Sequence, residues 1–189
     1  MNDDHLIIFV KNPFFTNIDK EATDKKHLLP IYLELLHHTA SVANNLDVDK
    51  HLYYDNFIEN DSSFNDKDFD KKIHNSNEPK QQIYDALKEV FGRWAKKIVL
   101  IGTESMHLNK EDIQHAFSQL DHTDVVIIPK LSGGILLFGM NAFNSDFLNH
   151  YPWENENDLL DTIIQLQKLN KSYSVLGAKE SVVFEDIKL

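Results

Sequence analysis

The stretch Lys96-Lys97-Ile98-Val99-Leu100-Ile101-Gly102-Thr103-Glu104-Ser105 decides the fold. Its four consecutive apolar residues read as a buried strand, Gly102 stops it, and a lone carboxylate, Glu104, follows on a loop. In an open α/β sheet, ligands gather outside the carboxyl ends of the strands. The loop after Ile101 is therefore where a nucleotide or a metal would be held.

The same punctuation recurs along the chain. His5 to Val10 is a short apolar run broken by Lys11-Asn12-Pro13, and Val125 to Ile128 is another, stopped by Pro129. His51 to Tyr54, Ile135 to Phe138 (ending at Gly139) and Tyr173 to Leu176 complete the expected strands. Between them, Leu28 to Leu46 places apolar residues at three- and four-residue steps, one face of a long helix with Pro30 in its first turn. Asn77-Glu78-Pro79 marks a second helix start, whose stripe is Ile83, Leu87, Val90, Phe91 and Trp94. Asn109 is an N-cap with Glu111 and Asp112 in the first turn, and a last helix spans Glu156 to Leu169. Strands alternating with helices imply a three-layer α/β/α fold around a mainly parallel sheet. With no internal repeat and no low-complexity linker, residues 1–189 read as a single domain. Asn56 to Asn77, acidic and interleaved with Phe57, Phe64 and Phe69, reads as a solvated, mobile loop whose aromatics tuck against the body.

Bulk properties narrow the function. Apolar residues make up 42% and charged residues 26%, ordinary for a globular chain, and no run approaches the roughly 18 residues of a membrane span. The N-terminus MNDDHLIIFV lacks a basic region, so a cytoplasmic location is expected. The absence of cysteine excludes a disulfide scaffold, a thiolate zinc site and a cysteine nucleophile. A net charge of −11 argues against nucleic-acid or anionic-membrane binding. Arg93 is the single arginine, a poor endowment for gripping a diphosphate.

Each candidate residue has two readings. Glu104 is a metal ligand or sugar-hydroxyl acceptor, or else a loop carboxylate capping nearby amides. Gly133 and Gly134, after Ser132, either let a backbone approach a ligand or serve a turn that demands positive φ. Lys11 meets a nucleotide at the end of the first strand or is solvated. Trp153, after Pro152, floors a substrate pocket or packs against the body. The ten histidines are scattered, His37 and His38 point to different helix faces, and no catalytic residue can be assigned.

The order of short motifs resembles a bacterial family of unknown function with a GT-A-type nucleotide-diphospho-sugar transferase fold, the radical-SAM or selenodomain-associated, glycosyltransferase-like group. FVKNP (Phe9 to Pro13), LELLHHT (Leu33 to Thr39), KKIVLIGTES (Lys96 to Ser105), PKLSGGILLFGM (Pro129 to Met140), Trp153 and ENDLLDT (Glu156 to Thr162) carry the resemblance. It implies a Rossmann-like mixed sheet and ligand contacts at Lys11, Thr103, Glu104, Ser132, Gly133, Gly134 and Trp153. It also implies a divalent metal, Mg²⁺ or Mn²⁺, on Glu104, and a nucleotide-sugar substrate. Departures are informative. Asp19 and Glu21 stand where the family has Lys and Arg, and Glu104 replaces an aspartate. Ser132-Gly133-Gly134-Ile135-Leu136 keeps the turn of an Asp-Gly-Gly-Tyr-Tyr motif without its acid and aromatics. Glu180-Ser181-Val182-Val183 replaces an Asp-x-Asp-Thr pattern. The implied protein is a glycosyltransferase-like or nucleotidyltransferase-like enzyme with an altered site, or a silent relative that binds a small ligand or a protein.

The charge reversal predicts weak nucleotide-diphosphate binding, because each lost charge-assisted hydrogen bond costs about 1.5–3 kcal/mol before repulsion. Isothermal titration with UDP- and GDP-sugars in Mn²⁺ checks this. Micromolar binding that weakens in Glu104→Ala would restore an intact transferase site.

Overall fold

The computed structural model describes residues 2–10, 22–55, 58, 63–74, 76, 78–149 and 158–182. Its strands are β1 (Asp4–Val10), β2 (Asp49–Tyr54), β3 (Phe69–Ile73), β4 (Lys97–Ile101), β5 (Val125–Pro129), β6 (Ile135–Met140) and β7 (Tyr173–Val175). They form one seven-stranded sheet in the order β3-β2-β1-β4-β6-β5-β7. β1 pairs parallel with β2 and β4, β2 with β3, and β5 with β7, whereas β6 runs antiparallel between β4 and β5. The sheet is thus mixed but mainly parallel, as the apolar runs predict.

Alternation along β1 sorts the core into two layers. Leu6, Ile8 and Val10 join Tyr32, Leu36, Ala40 and Ala43 of α1 (Ala22–Asn44), and Ile113, Ala116 and Phe117 of α3 (Lys110–Gln119). Ile7 and Phe9 join Ala86, Leu87 and Val90 of α2 (Pro79–Phe91), Phe147 and Leu148 of α4 (Ser145–Asn149), and Leu166 of α5 (Asp158–Lys168). Helices therefore cover both sheet faces. The start of α3 closes with a capping box, in which Asn109 Oδ1 accepts from Asp112 N–H at 2.9 Å and Asp112 Oδ2 accepts from Asn109 N–H at 3.0 Å.

Three elements differ from the sequence reading. α1 begins at Ala22, so Pro30 lies in the helix interior and not in its first turn. Losing that backbone bond costs about 3 kcal/mol, less than the burial of Tyr32, Leu35 and Leu36, each contributing about 1.5–3 kcal/mol. The stretch read as a loop contains β3, an edge strand whose polar side chains hid it. Phe64 and Phe69 do tuck in, edge to face at 5.1 Å, while Phe57 lies outside the described residues. Trp94 is not on the stripe of α2: the helix stops at Phe91, and Trp94 takes φ 82 in the reversal into β4, 79% exposed.

Gly139 lies inside β6 where a strand end was expected, because no side chain fits there. A Cβ would stand 2.7 Å from Val126 Cγ1, 3.2 Å from Leu120 Cδ1 and 3.3 Å from the Ile98 carbonyl oxygen. Gly139→Ala should lower stability by about 1–3 kcal/mol, read as a lower urea midpoint at unchanged slope.

A buried histidine pair lies near the amino end of the sheet. The rings of His5 (β1) and His51 (β2) stack at 5.3 Å, with His5 Nδ1 3.0 Å from His51 Nε2. Asp70 stands 3.4 Å from His51 Nδ1, near enough for charge but too poorly aligned for a hydrogen bond, and Arg93 and Lys72 hold it. Burial pushes the His51 imidazole below its ordinary 6.5, and His5 pushes the same way against the opposing pull of Asp70. A histidine depressed in the folded state favours the fold while neutral. Stability should therefore fall as pH drops below about 6.5 towards its folded value, where the unfolded chain binds the extra proton. Urea melts across that window should show the slope, and His51→Gln should flatten it.

Candidate functional site

Three segments meet at the carboxyl edge of β4 and β5. The first follows β4, where Thr103 and Ser105 are buried and Glu104 lies between them. The second is the hairpin joining β5 to β6. Lys130 N–H donates to the Gly134 carbonyl at 3.1 Å, and Gly133 N–H donates to the Lys130 carbonyl at 3.2 Å. Gly133 at φ 98 and Gly134 at φ 82 occupy the left-handed region that a side chain would strain. Because Leu137 of β6 pairs with both Ile101 and Ile128, the hairpin and the Glu104 loop reach the same edge.

The third segment is the tail after β7, which crosses that edge by backbone bonds. Leu176 N–H donates to Ile127 at 2.8 Å, Lys179 N–H to Pro129 at 3.0 Å, and Leu131 N–H to Lys179 at 2.8 Å. Val182 N–H then donates to the Glu104 carbonyl at 2.7 Å, and Ser105 Oγ to the Glu180 carbonyl at 2.6 Å.

The described acids at this edge each have a nitrogen partner. Lys130 Nζ stands 2.6 Å from Glu104 Oε1, Lys179 Nζ 2.8 Å from Asp112 Oδ2, and His107 Nε2 3.1 Å from Glu180 Oε2. The sequence reading singled out Glu104 but missed Lys130, which carried no signal beyond being one lysine beside a turn. It also missed the His5–His51, His74–Asp55 and His107–Glu180 pairs, whose partners are distant in sequence. Ser132 and Gly133 sit exposed at the hairpin tip. Lys11, Trp153, Asp19 and Glu21 lie outside the described residues. Arg93 is engaged by other elements, bonded to Asp70 at 2.7 Å and Glu89 at 2.6 Å.

The described residues do not fit a divalent cation. Glu104 is a single carboxylate already matched by an ammonium, and among the described residues no three His, Asp or Glu side chains gather to hold a metal. A unit charge 4 Å from another is worth about 4 kcal/mol near a protein surface, so a divalent ion beside Lys130 would meet roughly twice that repulsion. An open cavity of about 910 Å³ lies elsewhere, at the amino end of β2 and β3, lined by Asp47, Asp49, Lys50 and Asp66 among others. It shares no residue with this edge.

Among solved structures, a candidate nucleotide-diphospho-sugar transferase from Desulfovibrio desulfuricans G20 matches with a TM-score of 0.75 at 18% identity, over 96% of this chain and 83% of that one. A cytidylyltransferase from Leptospira borgpetersenii matches at 0.59 with 6% identity, over 96% and 82%. A manganese complex from Mycobacterium tuberculosis H37Rv matches at 0.55 with 11% identity, over 100% and 94%. At such identities the likeness establishes the fold: the Rossmann-like mixed sheet common to nucleotide-diphospho-sugar transferases and cytidylyltransferases. Among the described residues no helix is long and apolar enough to cross a membrane. No curated protein matches the sequence. A family model does, over residues 38–155, more than half of the chain, and its description is an uncharacterized protein conserved in bacteria. The chain belongs to that bacterial family, DUF2064.

Proposed function

We propose that this chain acts on a nucleotide-sugar-type substrate as a glycosyltransferase-like or nucleotidyltransferase-like protein, with its site rebuilt around a lysine–glutamate pair. The carrying observation is the Glu104–Lys130 pair at the carboxyl edge of the sheet, where an open α/β fold holds its ligand. The resemblance of the fold to nucleotide-diphospho-sugar transferases and cytidylyltransferases supports the substrate class. Thr103, Glu104, Ser132, Gly133 and Gly134 belong to this reading as ligand contacts, and Lys11 and Trp153 join it from outside the described residues. So do a single GT-A-like domain, a cytoplasmic location and kinship with the radical-SAM or selenodomain-associated group. The net charge of −11 speaks against a nucleic-acid partner.

A second reading is favoured by the same pair. A carboxylate neutralised by its neighbour and crossed by the tail suits a catalytically silent module that binds a small ligand or a protein.

A thermal-shift screen of nucleotides and nucleotide sugars, with and without Mn²⁺, tests the nucleotide-type substrate. A ligand held at about ten times its Kd adds about 1.4 kcal/mol, which raises Tm by roughly 3–6 °C for a chain of this size. At least one uridine, guanosine or cytidine nucleotide is expected to do so at millimolar concentration. A flat response to every nucleotide would sink the transferase reading in favour of the silent module.

A further inference from the structure

Glu104 follows β4 onto the carboxyl edge, and its carboxylate lies 2.6 Å from the Lys130 ammonium, the two side chains 34% and 22% exposed. We propose that Lys130 is the resident cation of this site: its ammonium occupies the position beside Glu104 that a divalent metal would need, so that phosphate-bearing ligands are recognised there without metal. The inference rests on the nucleotide-type reading above and specifies its chemistry.

Lys130 is held for this task by its backbone. Its N–H and carbonyl are both bonded within the glycine turn, and the residues on either side, Pro129 and Leu131, are bonded to Lys179 of the tail. The ammonium thus starts from a Cα fixed on both sides, opposite the loop that carries Glu104. Among the described residues no second carboxylate is left over to complete a metal site: Asp112 is paired with Lys179, and Glu180 lies against the His107 imidazole. An ammonium offers three N–H donors. One direction serves Glu104, leaving two for the oxygens of a phosphate, which lysine binds as a point charge. Glu104 in this arrangement is a positioning residue, since it aims the cation and does not itself meet the anion.

Electron paramagnetic resonance of Mn²⁺ with the full chain tests the assignment without any nucleotide. Wild type is expected to show no Mn²⁺ uptake that Glu104→Gln abolishes. Lys130→Glu, which sets a second carboxylate where the ammonium stood, is expected to acquire Mn²⁺ binding. Glu104-dependent uptake by wild type overturns the assignment. So does a Lys130→Glu protein that keeps its far-UV circular dichroism and stays silent. Calorimetric titration with CDP and UDP, in EDTA and in Mn²⁺, is the second readout. Equal affinity in the two buffers, about tenfold weaker in Lys130→Met and recovered in Lys130→Arg, supports the proposal. Affinity that appears only with Mn²⁺ overturns it while leaving the proposed function standing. Nucleotides that bind in neither buffer count against the proposed function, and the Mn²⁺ readout then decides the role of Lys130 by itself.

Discussion

One steric constraint fixes this half of the sheet: β6 lies antiparallel between β4 and β5, and the side chains of Val126 and Leu120 press so close to position 139 that no side chain fits there. Val126 Cγ1, Leu120 Cδ1 and the Ile98 carbonyl oxygen together leave space for a glycine only. The chain can make this insertion because Gly133 and Gly134 reverse it at positive φ immediately after β5. The result is that Lys130 and Glu104, which leave strands that do not touch each other, end on the same edge within ion-pair distance. The charge arrangement is thus a consequence of the sheet's topology.

Magnitudes separate what holds the fold from what shapes the site. Exposed ion pairs contribute about 0–1 kcal/mol each, so Lys130–Glu104, Lys179–Asp112 and His107–Glu180 are minor terms in stability. Leu6, Ile7, Ile8, Leu52, Leu87 and Ile98 are fully buried, and each contributes about 1.5–3 kcal/mol. The apolar layers set the architecture, and the pairs set which charges a ligand meets. In a chain of net charge −11, an edge where lysines stand against Glu104 and Asp112 admits an anion more readily than the average surface would.

Legibility in the sequence follows the range of the interactions. β1, β4 and β5 were readable because strands covered on both faces are continuous apolar runs, a local signal. The cap at Asn109 and the turn at Gly133 were readable for the same reason, each being encoded within a few residues. β3 was not: Phe69-Asp70-Lys71-Lys72-Ile73 is an edge strand, and its charges, which discourage further pairing, look like loop. The start of α1 was missed because its first residues are polar and Pro30 mimics a helix start. At the site, Glu104 could be found from its place after a strand. Lys130 could not, because its meaning lies in a contact across 26 positions of sequence and an intervening strand. The His5–His51 pair was hidden for the same reason, being separated by 46 positions and joined only across β1 and β2.

The site's loops are tied together mostly by main chain. The tail reaches β5, the hairpin and the Glu104 loop through the N–H groups of Leu176, Lys179, Leu131 and Val182, and side chains add the Ser105 bond to Glu180 and the His107–Glu180 and Lys130–Glu104 pairs. Backbone bonds of this kind do not depend on which side chain is present, save where glycine is required. The side chains at 104, 130 and 132 are therefore free to change without disturbing the edge that presents them. That freedom fits a fold shared at 6–18% identity. A charge exchanged at the hairpin or on the Glu104 loop would therefore alter the chemistry of the edge while every strand keeps its register.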